Sequence, residues 1–312
     1  MTTQETAGQI IKSAVEADYE ATDRDDEIVP LWKQRLRIFM HNKLAIASVL
    51  FILVITAACY LVPWIHPTNQ TNQALTFGTK WNASPSWSHP LGTDSSGFDV
   101  LGRIFYGGEY SLTLGFLAGF ITIVVGTLYG MISGSLAGFT DTVMMRTLDA
   151  FLSIPYLFLL ITLITIFGRT TTFLIMVIGL TGWWGNARII RGDALLIRNL
   201  EYSQAATAMG ASKWHIIRRH VFPNSISNIV TVATFSVADA ILFLSALGFL
   251  GLGIQAPQTD WGTMLQAGTS QMQNGFWWEI YPLAAIFILV VVAINYIGDA
   301  LRDAFEVRLL ER

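Results

Sequence analysis

The sequence is short of charge and of cysteine. Of its 312 residues 13% are charged, 19 basic against 22 acidic, about half the share found in soluble domains. So few ions do not coat a large hydrated surface, and a net charge of -3 excludes a strongly basic nucleic-acid binder. The single cysteine, Cys59, excludes an intrachain disulfide and a zinc site built on two or four thiolates. The five histidines, His41, His66, His89, His215 and His220, all fall outside the long apolar runs or at their edges. A haem held between membrane helices and an intramembrane serine-histidine protease centre are therefore both excluded. A phosphate-binding loop is missing too: Gly92 and Gly97 have the right separation, but Phe98 stands where the lysine belongs.

What the chain has in plenty is apolar residues, 53% of the total, gathered in long runs. Crossing ~30 Å of hydrocarbon takes about 20 apolar residues in a helix, because backbone polar groups in lipid must be paired within their own segment. Six stretches satisfy this: residues 44–62, a segment inside 110–140, 150–168, 170–187, 221–251 and 280–298. None alternates as a barrel strand would. The expected fold class is an all-α integral membrane protein with six transmembrane helices. Lys33, Arg35, Arg37 and Lys43 precede the first run, and basic residues cluster again between Arg188 and Arg219 and at Arg302, Arg308 and Arg312. Lys80, Arg103 and Arg169 fall on the opposite side. Basic loops are retained inside, so both termini are expected to be cytoplasmic. More than 40 residues precede the first run, which fits a signal anchor better than a cleaved leader.

Five regions follow. Residues 1–38 hold an acidic tail, with eight acids against Lys12 and Arg24 in the first 28 positions, and a basic pre-membrane segment; the tail has too little apolar surface to fold alone. Residues 39–63 are the first transmembrane helix and 64–108 an external loop. Near its end Val100, Leu101, Ile104 and Phe105 share one helical side, with Asp99 and Arg103 four apart on another, as in a short interfacial helix. Residues 109–303 form the core and 304–312 a tail. A second external loop, 253–279, carries Trp261, Trp277 and Trp278, at positions where indoles anchor helix ends among headgroups. Gly115, Gly119, Gly126 and Gly130 are expected to be close helix contacts, and Arg146 and Asp149 structural groups at headgroup level. Asp239 interrupts the fifth run. A charge in lipid costs ~2.5 to 3.5 kcal/mol on insertion scales, so it must face protein or a water-filled passage, either as a helix contact or on a translocation path.

The longest inner loop lies between the fourth and fifth runs. Residues 201–209 favour helix, Gly210 offers a stop, and a second helical stretch leads to Pro223, taken as the start of the fifth span. Ala205, Ala206 and Ala208 leave one helix bare of bulk, open to close approach by the protein's own helix ends or by a partner. Two adjacent alanines, three further residues, Gly210, and Pro223 thirteen positions on resemble the signature loop of the inner-membrane permeases of ATP-binding-cassette importers. The usual Glu before the alanines is Gln204 here. Three further stretches resemble the dipeptide, oligopeptide and nickel permease branch: residues 89–107, with Phe98 where Arg is common; residues 248–265, with Leu244 upstream where a Glu is often found; and residues 295–303, followed by Glu306-Val307-Arg308 in place of Asp-Pro-Arg.

The resemblance implies a type I importer transmembrane domain, similar to the methionine permease. It implies a loop that docks on an ATPase through Glu201, Gln204, Ala205, Ala206, Met209, Gly210, Ala211 and Lys213, so that Ala206→Arg should disrupt docking. Arg188 and Arg191, at the inner end of the fourth span, would fix this connection or anchor in headgroups. The implied partners are a second homologous permease, two ATPase subunits that bind ATP and Mg, an extracytoplasmic substrate-binding protein and a peptide in transit across the bilayer. No catalytic residue, metal or cofactor is expected in this chain. Nickel and other small solutes stay open as cargo. An ion-coupled secondary transporter is the rival from another class, but calls for several intramembrane acids and internal repeats; a non-transporting membrane scaffold is a third.

Overall fold

The computed structural model describes residues 31–65 and 67–306. The acidic tail, His66, Val307, Arg308 and Arg312 lie outside the described residues. Twelve α-helices carry the described chain: α1 Leu31–His41, α2 Lys43–Ile65, α3 Val100–Leu136, α4 Gly138–Leu152, α5 Tyr156–Phe167, α6 Thr171–Thr181, α7 Trp184–Arg198, α8 Glu201–Ala208, α9 Lys213–Ile216, α10 Phe222–Phe249, α11 Trp261–Met272 and α12 Tyr281–Glu306. Five helical stretches among the described residues are long and apolar enough to cross a membrane, and a sixth crossing is made if the bent pair α4 and α5 counts as one.

Several boundaries differ from those expected. No separate interfacial helix precedes the second span: Val100, Leu101, Ile104 and Phe105 are the first turns of α3, which runs 37 residues, about 55 Å at 1.5 Å per residue. Asp99 starts it, its carboxylate accepting the Gly102 N–H at 2.7 Å. Arg103 turns away from Asp99 to Asp94, 3.8 Å off, and donates to the Gln70 carbonyl. Burial pushes the Asp94 carboxyl above the ordinary carboxylate range, against the lowering effect of amides from Phe98 and Ser96 and of the Arg103 charge.

The third expected span, 150–168, is broken. Pro155 has no N–H and disfavours helical backbone at Ile154, so α4 closes at Ser153 and α5 leaves at an angle of 78°. The fourth span runs past residue 187 to Arg198, with a seam at Gly182 and Trp183. Pro223 stands in the first turn of α10, as expected, but no loop precedes it, and the helical stretch reaches back to Lys213. A wide π turn at Ile217–Val221, in which the Phe222 N–H reaches Ile217 O, leads into α10 from α9. The wider turn accommodates a proline that would clash with a regular α-helical carbonyl.

Long helix α3 is the centre of the bundle. Its glycines are helix contacts as expected: a Cβ on Gly115 or Gly119 would sit 2.2 Å or 2.8 Å from Ile241 or Val237 of α10, and one on Gly130 or Gly134 would sit 2.4 Å or 2.7 Å from Ala187 O or Ala194 Cβ of α7. Spacing of four keeps each set on one helix side, so α3 presents one glycine stripe to each neighbour.

Contacts also fix the sidedness. On one side the Arg35 guanidinium lies 4.5 Å from the Phe305 ring centroid, and Lys213 Nζ donates to Leu136 O at 3.5 Å. On the other, Arg169 donates to Gly251 O and Trp278 Nε1 to Thr93 O. The first and last described helices thus meet on the side that holds α8 and α9. Trp261 and Trp278 are buried within the protein; the Trp261 indole donates to Ile104 O at 2.9 Å.

Gly130→Val is expected to destabilise the chain by roughly 1–3 kcal/mol through overpacking, while Gly192→Ala, inside α7 where an added Cβ meets nothing within 4 Å, is expected to leave stability unchanged or raise it by up to about 1 kcal/mol through helix propensity. Thermal unfolding in detergent compares them; equal melting would remove the glycine stripe as a packing device.

Candidate functional site: a coupling hairpin and a membrane cavity

Helix α8 is closed by a Schellman turn. The Ala211 N–H reaches Ala206 O and the Gly210 N–H reaches Thr207 O, both at 3.0 Å. Gly210 has φ +87°, a left-handed conformation that favours glycine. Ser212 then caps α9 by accepting from the His215 N–H. The hairpin is seated on the rest of the molecule by Ala206, Ile216, Ile217 and Val221, which pack with Met131, Ile190, Ala194 and Ile197 from the C-terminal parts of α3 and α7.

The eight loop residues named from the sequence divide between two surfaces. Ala206 is 9% exposed and Ala211 packs beside it in the seat. Glu201, Gln204, Ala205, Met209, Gly210 and Lys213 are exposed. Gln204 donates to Asn199 O at 3.0 Å, so the amide ties α8 to the end of α7. Met209 is 83% and Trp214 63% exposed, and with Ala205 they leave an apolar patch on the hairpin. Sequence reasoning missed Trp214; its position on a polar, basic segment was the available signal.

Arg188 and Arg191 both pair with acids of α4. Arg191 grips Asp141 of α4 with two bonds of 2.6 Å, and the Ser133 hydroxyl of α3 donates to the same carboxylate. Arg188 pairs with Asp149, two turns further along α4. Together they tie the inner end of α7 to α4, the first limb of the bent pair. The acids were legible as partners in hindsight: residues 141 and 149 stand on one helix side, as do the arginines at i and i+3. The two pairs should differ in worth. Asp141 and Arg191 have side chains only 12% and 29% exposed, so Arg191→Met leaves a largely buried carboxylate and costs about 2 kcal/mol. Arg188 and Asp149 are about half exposed, so Arg188→Met costs under ~1 kcal/mol. Thermal unfolding of both variants checks the order, and adding Asp141→Leu to Arg191→Met should recover most of the loss.

Asp239 lies in a cavity of about 270 Å³. Two irregular segments of the bundle open onto it: Ile154 and Pro155 at the elbow between α4 and α5, and Gly182 at the seam between α6 and α7. Tyr156, Trp184 and Phe243 supply aromatic wall, and Thr122, Asn186 and Ser236 polar wall. The side chain of Asp239 is exposed, and its carboxylate accepts no hydrogen bond from a described residue. A tight polar helix contact is thus not what this acid makes within the chain. Among the described residues no cluster of three or more His, Cys, Asp or Glu could hold a metal ion.

With this architecture in view, the relatives are informative. Residues 126–311 match the family described as binding-protein-dependent transport system inner membrane component, and residues 30–85 match the N-terminal TM domain of oligopeptide transport permease C. The oligopeptide transport system permease protein OppC of Haemophilus influenzae is 39% identical over 281 residues, 88% of each chain. The dipeptide transport system permease protein DppC of Bacillus subtilis is 37% identical over 273 residues, 88% of this chain and 84% of that one. In fold, the chain is similar to one from the inward-facing MetNI methionine ABC transporter, with a TM-score of 0.54 at 20% identity, covering 66% of this chain and 96% of that chain. The matches over most of both chains and the multi-pass helical bundle place the chain in the family of binding-protein-dependent transport system inner membrane components, as a membrane permease subunit.

Proposed function

We propose that the chain is one of two permease subunits of an ATP-driven importer that moves di- or oligopeptides handed over by an extracytoplasmic binding protein. The names of relatives at 37–39% identity support peptides as cargo. ATP and Mg belong to two partner ATPases, and this chain contributes motion and passage, not hydrolysis. The basic residues around α8 and α9 put that side in the cytoplasm, along with both termini.

The observation that carries the coupling is the two-sided hairpin. Its inner side is locked into the ends of α3 and α7 through Ala206 and Ala211, and its outer side presents Ala205, Met209 and Trp214 to an aqueous compartment. An apolar patch on a loop outside the membrane marks a protein contact. Force applied there by an ATPase passes through the π turn into α10, and through Arg188 and Arg191 into α4, so both walls of the Asp239 cavity are reached by rigid elements. This is a shift between two packed states, one for each side of the membrane.

The buried place of Ala206 changes the choice of test. Ala206→Arg would disturb the hairpin's own seat, whereas Met209→Asp and Ala205→Arg alter only the outer surface. In proteoliposomes holding the whole complex, each is expected to lower peptide-stimulated ATP hydrolysis roughly tenfold, as loss of an interface anchor does, with unfolding temperature unchanged. Normal stimulation in both would move the ATPase contact elsewhere. Uptake that persists without ATP and collapses with an ion gradient would establish the secondary-transporter reading instead, and no peptide-dependent hydrolysis the scaffold.

A further inference from the structure

From the cavity's lining we infer that Asp239 is the subsite for the α-ammonium group of the peptide in transit, an assignment that rests on the function proposed above. Every hydroxyl lining the cavity is already committed. Thr122 donates to Gly179 O, Tyr156 to Ile178 O, Thr181 to Val177 O and Ser236 to Val232 O. The Asn186 amide donates to Ser236. These bonds pair carbonyls of α6 and α10 and leave the carboxylate with its acceptor capacity unused. No Lys, Arg or His lines the cavity, so its fixed charge is a single negative one.

An acid kept in a membrane helix with open acceptor sites calls for a guest that brings donors and positive charge. A peptide ammonium brings three N–H donors. Tyr156, Trp184 and Phe243 line the same cavity and give it an aromatic wall. The place is also suited to passage. Irregular backbone is tolerated at membrane depth where it lines a water-filled cavity, and the Pro155 elbow and the Gly182 seam do so on walls facing α10. A guest held by Asp239 therefore touches the elements that must move against one another when access switches sides.

The test is equilibrium binding of trialanine and N-acetyl-trialanine to the purified whole complex in lipid nanodiscs, without the delivery protein, so that its selectivity does not enter. The wild-type complex should bind the free amine about tenfold more tightly, the effect of one charge-assisted contact. Asp239→Asn should bring the two peptides within about twofold, and Asp239→Glu should keep most of the preference. Equal affinities in the wild type, an unchanged preference in Asp239→Asn, or no saturable binding of either peptide would overturn the assignment. Release of the second permease by Asp239→Asn would do so as well, making the acid an interface contact. Uptake of trialanine by wild-type proteoliposomes with ATP and the delivery protein separates the two claims: uptake without amine preference removes only the subsite, whereas absence of ATP-driven peptide uptake removes the proposed function.

Discussion

Hydrocarbon offers no hydrogen bonds, and the structure is organised by that deficit. Each spanning segment closes its backbone bonds within itself, so the molecule is a bundle whose helices join through side chains. Where a helix breaks, the freed groups must meet protein or water. Pro155 forces one break and the turn at Gly182 and Trp183 makes another, and both lie against the Asp239 cavity. Polar side chains serve the same end: Tyr156 and Thr122 donate to the carbonyls of Ile178 and Gly179 beside the seam. These two breaks and the one acid of α10 thus share a single cavity, where freed polar groups meet protein or water.

Around that place the bundle is stiff. In lipid, apolar side chains gain little from leaving one another's neighbours, so close backbone approach and polar ties hold helices together. Gly115 and Gly119 bring α3 against α10, and Gly126, Gly130 and Gly134 bring it against α7. Arg191 and Arg188 then clamp α7 to α4 through Asp141 and Asp149. The result is a connected frame from the hairpin to the cavity. Its charged ties sit toward the end that carries the hairpin, where their side chains are partly exposed, and its uncharged ties sit toward the cavity.

Much of this was legible in the residue order. Runs of about 20 apolar residues located the spans, the loop with Ala205, Ala206 and Gly210 located the hairpin, and the glycines of α3 were legible as contacts because their spacing repeats with the helix. Boundaries were less legible. The first turns of α3 looked interfacial since Asp99 and Arg103 flank apolar residues, yet Arg103 finds Asp94 and Gln70 in the folded loop and the helix continues. Pro223 was legible as a first-turn residue of α10, but the π turn that joins α9 to it without a loop was not. Such compensations involve residues brought together by folding, which local pattern does not record.

What the sequence determined by itself was the class of solvent the chain must live in and the loop that stands out from the apolar runs, because each depends on local hydropathy and helix propensity. The tertiary structure decided which side each small residue serves. Ala205 and Ala206 are neighbours of identical chemistry, yet one lies on the outer surface and the other in the seat on α3 and α7. Asp239 likewise was either a helix contact or a lining residue until packing set it beside a cavity, since the direction of a side chain becomes a physical environment only when the other helices are in place.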